Sequence, residues 1–157
     1  MFTEMLATET ALLDLLLRLG AALLLGGMIG LERELKNRPA GLRTNMMVSL
    51  AAATFTLISA ELIAESRNAT QLIQIDPLRI IEAVIAGVAF LGAGAIIRAG
   101  KDVKGLTTGA SLWVSGSIGV ACGGGFYMVA IVATILSLIV LYVLSFVAKA
   151  MDTSKPD

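Results

Sequence analysis

Five stretches of this chain are too apolar to leave in water, and its basic residues concentrate in every second gap between them. The stretches run roughly Ala11–Leu31, Asn45–Ala64, Ile80–Ile97, Thr107–Cys122 and Phe126–Val147. A helix needs about 20 mostly apolar residues to cross ~30 Å of hydrocarbon at ~1.5 Å per residue. Lipid offers backbone groups no water, so each stretch is expected to be helical. The pattern predicts an all-α polytopic membrane protein, a bundle of five transmembrane helices. The fifth stretch is the cleanest, with no charge from Phe126 to Val147. The fourth is the weakest. It is short and rich in Gly, Ser and Thr, and a tilted or re-entrant segment is its alternative.

The basic residues orient the bundle. Arg33, Lys36, Arg38 and Arg43 follow the first stretch; Arg98, Lys101 and Lys104 follow the third; Lys149 and Lys155 follow the fifth. The second gap holds Arg67 and Arg79, and the fourth holds none. By the positive-inside rule the richer side is cytoplasmic, which places the N-terminus outside and the C-terminus inside. Glu4, Glu9 and Asp14 precede or open the first stretch in place of a basic n-region, so it is expected to be a retained span. Residues 1–150 form the expected membrane domain, and residues 151–157 a short disordered cytoplasmic tail.

Composition removes several functions. Hydrophobic residues make up 57% of the chain and charged residues 15%, where ~45–50% and ~25% are usual in soluble domains. Zero net charge leaves no basic field for nucleic acid. A single cysteine, Cys122, allows no intrachain disulfide. The absence of histidine removes Ser-His-Asp chemistry and His-ligated metal sites.

Sixteen glycines fall mostly inside the spans, where small residues let helix backbones approach. Gly26 and Gly30, Gly105 and Gly109, and Gly119 and Gly123 have GxxxG spacing, and Ala89 and Ala93 form a similar pair. Packing within one bundle and contact between subunits both fit. Gly123-Gly124-Gly125 is expected to form a tight turn.

Charge inside hydrocarbon costs at least ~2.5–3.5 kcal/mol, so such residues are paired or functional. Asp14 and Arg18 are four apart and can pair, as can Glu32 and Lys36. Glu82 lies early in the third span; it is interfacial or part of a polar site. Asp76-Pro77 reads as a turn or helix start, and Asn68-Ala69-Thr70 matches a glycosylation acceptor common by chance. At the inner end, Glu32, Arg33, Arg43 and Thr44 crowd the first connection, with Thr44 or Asn45 as a cap for the second helix. Glu32 and Arg33, being adjacent, are expected on different faces. Thr107, Thr108 and Ser111 follow the third connection, with Trp113 a turn deeper. Interhelical hydrogen bonding is the structural reading of these hydroxyls.

The strings GGMIGLERE (26–34), AGLRT (40–44), FLGAG (90–94), GLTT (105–108) and ASLW (110–113) come in that order. Together they closely resemble the MgtC/SapB family of bacterial inner-membrane proteins, over about Gly26 to Tyr127. The resemblance implies a helical domain in the cytoplasmic membrane, with a link to magnesium homeostasis, low-magnesium growth and virulence. It implies action through other membrane proteins, ATP synthase among them. Its motif positions are Glu32, Arg33, Gly41, Arg43, Thr44, Gly92, Gly94, Gly105, Thr107, Thr108 and Trp113. The virulence members carry a soluble domain after the fifth span, whereas this sequence stops, so the fold is expected to transfer ahead of that role.

A non-enzymatic regulator working by lateral helix contacts, and forming a homo-oligomer with a dimer first, is therefore expected in the bilayer. The alternative is a transporter or channel for magnesium or another small solute, with Glu32, Glu34 and Glu82 as candidate oxygen ligands. No cofactor is expected, and bound Mg2+ is not demonstrable from these residues. A membrane enzyme using Ser111, Thr107 or Cys122 lacks an evident general base.

Overall fold

A computed structural model gives the fold for residues 10–68, 76, 78–99 and 102–152; at 67, 68, 99 and 144–152 the description stops at the backbone. Five helices follow one another: α1 (Leu12–Leu35), α2 (Leu42–Asn68), α3 (Leu78–Ala95), α4 (Leu106–Gly123) and α5 (Tyr127–Asp152). By length and composition, α1, α2 and α3 can each cross a membrane. Their outward faces carry large apolar side chains such as Leu12, Leu24, Phe55 and Phe90. A surface of that kind belongs in lipid. The chain is a multi-pass membrane protein.

The helices alternate in direction. Gly26 and Gly30 of α1 lie against Ser49 and Leu42 of α2. Gly92 of α3 lies against Gly109 of α4, and Lys36 at the end of α1 reaches Leu141 of α5. Thr10 binds Glu61 at one end of the bundle, while Leu141 lies at the other.

α4 is the centre. It packs against all four other helices, which surround it in the order α3, α2, α1, α5 and leave a gap between α3 and α5. Half of its 18 residues are Gly, Ser or Thr. Those residues let neighbouring backbones close in. A Cβ at Gly119 would strike Ser49 of α2, one at Gly123 would strike Ala53, and one at Gly116 would strike Val88 of α3. The segment that is weakest as a lipid-facing span is thus a continuous helix enclosed by its neighbours on most sides, with Ala110, Trp113 and Ser117 left exposed. Two apolar clusters flank it: Ile29, Ala53, Ile118 and Cys122 on one side, and Val48, Val84, Val88 and Leu112 on the other.

The connections differ from expectation in three places. Between α3 and α4 lies a hairpin, β1 (Ile97–Ala99) paired antiparallel with β2 (Asp102–Lys104) in the register Ile97 to Lys104. Charge and apolar residues alternate too briefly there for a strand to be read from the pattern. The first turn of α2 receives its side-chain bond from Glu34, whose carboxylate accepts from the Leu42 N–H at 2.8 Å, and not from Thr44 or Asn45. α5 continues through Met151 and Asp152, two residues into the segment expected to be a disordered tail. Ala69, Thr70 and Pro77 lie outside the described residues, but Asp76 does accept from the Leu78 N–H at 2.9 Å, opening α3.

The glycine run makes a tight turn. Phe126 N–H bonds Ala121 C=O at 2.8 Å and Gly125 N–H bonds Cys122 C=O at 3.0 Å, a Schellman closure. Gly125 has φ 78°, the left-handed conformation that closure needs.

Candidate functional site

The last turn of α1 buries two adjacent charges. Glu32 is 3% exposed and Arg33 4%, so both turn inward and neither takes a separate outer face. Glu32 Oε1 pairs with Lys36 Nζ at 2.6 Å, the i,i+4 contact the spacing predicts. Lys36 also donates to the Leu141 carbonyl at 3.1 Å and lies 4.8 Å from the Tyr142 ring centre. α1 and α5 are thereby pinned together. Arg33 turns toward α4, where Nη2 donates to Thr108 Oγ1 at 3.3 Å. Glu32 Oε2 stands 4.0 Å from Arg33 Nη1, a long separation for a buried pair. Ser111 Oγ donates to the Thr108 carbonyl at 2.8 Å.

A second polar link lies deeper. Asn45 is fully buried; its Nδ2 donates to the carbonyls of Ala40 (2.6 Å) and Gly41 (2.9 Å), and its Oδ1 accepts from Ser115 Oγ at 2.8 Å. One side chain therefore ties the α1–α2 connection, α2 and α4 together. That connection holds Ala40 in the left-handed region at φ 56°, a conformation costing ~1–2 kcal/mol in a non-glycine residue. Gly41 beside it has no room for a Cβ, because the Glu34 carboxylate fills the space.

The residues singled out from sequence do not all converge. Glu32, Arg33 and Thr108 meet. Thr107 is exposed and lines a groove between α1, α4 and α5. Arg43 and Thr44 are exposed on the first turn of α2. Trp113 is half-exposed and faces α3, on another side of α4. Glu34 is bound to the Leu42 N–H. Glu82 is exposed near the start of α3, at the opposite end of the bundle from Glu32. Among the described residues no three His, Cys, Asp or Glu side chains gather as a metal site would require. Of the glycines named for packing, Gly26, Gly30, Gly92, Gly105 and Gly109 each face a neighbouring segment at close range. Gly94 does not share that role, since a Cβ there would meet nothing within 4 Å. The bridging of Asn45 to Ser115 was not foreseen. Its signal is a polar residue at the start of a span paired by size with a serine in the Gly-Ser-rich span.

The recurring strings thus map onto helix junctions, and the known proteins that share them can be compared directly. The sequence model of the MgtC family matches residues 19–150. The chain belongs to the MgtC family. It is 41% identical to Protein SapB of Bacillus subtilis over 143 residues, which is 90% of this chain and 61% of that protein. It is 46% identical to Protein MgtC of Salmonella typhimurium over 123 residues, 78% of this chain and 49% of that protein. With Protein MgtC of Brucella abortus it shares 44% identity over 117 residues, 74% of this chain and 45% of the relative. The chain therefore spans about half to three-fifths of these relatives. No solved structure gives a significant match. Within this MgtC-family domain, GGMIGLERE and AGLRT form the α1–α2 junction, while FLGAG brings Gly92 of α3 against Gly109 of α4, the residue that follows GLTT.

Proposed function

We propose that this MgtC-family protein is a non-enzymatic regulator of the bacterial inner membrane that works by helix contacts with other membrane proteins. The supporting observation is a lateral groove of about 560 Å³ between α3 and α4. Ala89, Gly92, Ala93, Gly109, Ala110 and Ser117 line it beside Trp113. Small residues there let another helix backbone approach, and an aromatic ring gives it something to pack on. The family resemblance supplies the proposed setting: low-magnesium growth, with a membrane subunit of ATP synthase as the first partner to test. A homo-oligomer would use the same kind of surface. The basic end of the bundle, with Arg38, Arg43 and Lys104, is the proposed cytoplasmic end.

The test is a photo-crosslinker placed at Ser117 in cells grown at low magnesium. Capture of an ATP synthase membrane subunit from Ser117, and not from Ile135 on the far side of α5, is the expected result. Capture of lipid alone would refute it. A magnesium-conducting reading draws less support, because Glu82 and Glu32 stand at opposite ends of the bundle. Purified protein in magnesium-loaded proteoliposomes is expected to show no flux above empty vesicles.

A further inference from the structure

α3 is held by the bundle on one face only, where Val84, Val88 and Gly92 are buried. Its opposite face carries Arg79, Glu82, Ala86, Ala89 and Ala93, all exposed. Their spacing of three, four, three and four residues is the heptad seam by which two helices pack side by side. Lipid-facing positions elsewhere hold large side chains, such as Leu24 on α1 and Ile135 on α5. A line of alanines offers acyl chains little and lets another helix backbone come close.

Two charges at the head of the seam specify what that other helix carries. α3 has 18 residues, about 27 Å at ~1.5 Å per residue, so its whole length is needed to cross ~30 Å of hydrocarbon. Glu82 stands one turn inside that length, on the face turned to lipid. Among the described residues neither Glu82 nor Arg79 makes an ion pair. A carboxylate in that position is costly without a cation. Arg79 lies in the first turn of α3, where the helix dipole disfavours a cation and no acidic residue offsets it. At 3.6 residues per turn the two side chains leave the helix ~60° apart, on the two flanks of the seam.

We propose that this seam is a contact with a second copy of the chain, the two α3 helices running parallel about a two-fold axis normal to the membrane. A two-fold contact sets one flank of a helix against the other flank of its mate. Arg79 of each copy then faces Glu82 of the other, offset by ~4.5 Å in depth, and two reciprocal ion pairs form. Ala86 and Ala93 lie between the flanks, nearest the axis, where their size lets the backbones close. A foreign helix would need a carboxylate and a cation at the same two levels; a second copy supplies both by symmetry. The contact shares Ala89 and Ala93 with the α3–α4 groove but is independent of the regulatory reading.

Cysteine crosslinking of the full chain in native membranes tests it. Ala86→Cys should form a disulfide-linked dimer under mild oxidation, about tenfold above Ile135→Cys on α5, because only the former brings two thiols within bonding reach. Cys122 is fully buried and stays out of the reaction. With Ala86→Cys as reporter, Glu82→Arg or Arg79→Glu alone should lower the yield about tenfold, since like charges then face each other. A chain bearing Glu82→Arg and a second bearing Arg79→Glu should crosslink to one another within about twofold of the parent. That recovery cannot arise inside one chain, because at these two positions each chain then carries one sign of charge, and it also shows that both variants fold. No Ala86→Cys disulfide above the Ile135→Cys control, single charge variants that crosslink like the parent, or a mixed pair that fails to recover would each overturn the contact. Capture of a foreign subunit from Ser117 with Ala86→Cys silent would do so too, while leaving the regulatory reading standing.

Discussion

α4 and α5 are consecutive helices joined by three residues, yet they are built on opposite plans. α5 turns Met128, Val129, Ile135, Leu136 and Ile139 outward and buries Ala130 and Thr134. α4 buries Thr108, Ser111 and Ser115 with a run of glycines, and keeps few large apolar side chains. The more apolar helix is peripheral and the more polar one is central. In a soluble protein the reverse holds, because there the apolar face must leave water. In lipid, hydrophobicity marks what touches acyl chains, while helix association depends on close approach and on hydrogen bonds.

Substitutions can break this contrast, and the largest effect belongs to the buried charges. Arg33→Ala would leave Thr108 Oγ1 without its donor and the buried Glu32 with Lys36 alone, and would open a cavity against α4. It is expected to destabilise the fold by about 3–5 kcal/mol, read as lost thermal stability in detergent. Gly119→Leu follows, at about 3 kcal/mol, since even a Cβ there meets the Ser49 backbone and Ala52. The same thermal assay should show α2 and α4 separating, with Cys122 becoming open to thiol reagents. Ser115→Ala removes the hydroxyl that Asn45 Oδ1 accepts from, and should cost about 1–3 kcal/mol. The smallest effect is expected on α5: Ile135→Ala should stay within about 0.5 kcal/mol, because lipid replaces the lost contact. If Ile135→Ala cost as much as Ser115→Ala, the proposed contrast between the two helices would fail.

The number of helices was legible, because a span needs ~20 mostly apolar residues, while α1, α2 and α5 run about four or five residues beyond the apolar stretches. The pairs Asp14 with Arg18 and Glu32 with Lys36 were legible for a similar reason, since i,i+4 spacing places both on one helix face. The place of α4 at the centre was not. Hydropathy ranks it as a poor span, and only the three-dimensional packing turns its hydroxyls and glycines into contacts. The site was partly legible: Glu32, Arg33 and Thr108 meet as a group, while Arg43, Thr44 and Trp113 point elsewhere. A list of residues near one end of several spans gives depth in the membrane. It does not give the angle around each helix, and that angle decides who meets whom. The cap from Glu34 to Leu42 escaped for another reason: it depends on a turn through Asn37 and Ala40, both at positive φ, which an alanine does not announce.

The hydroxyl-rich centre also bears on how the protein is made. A nascent segment partitions into the bilayer according to its own apolar content. α4 has little to gain from entering lipid unaccompanied, and much to gain once α2 and α3 stand ready with the surfaces that Gly109, Gly116 and Gly119 fit. Its integration therefore follows theirs, and the order of synthesis already delivers those companions first.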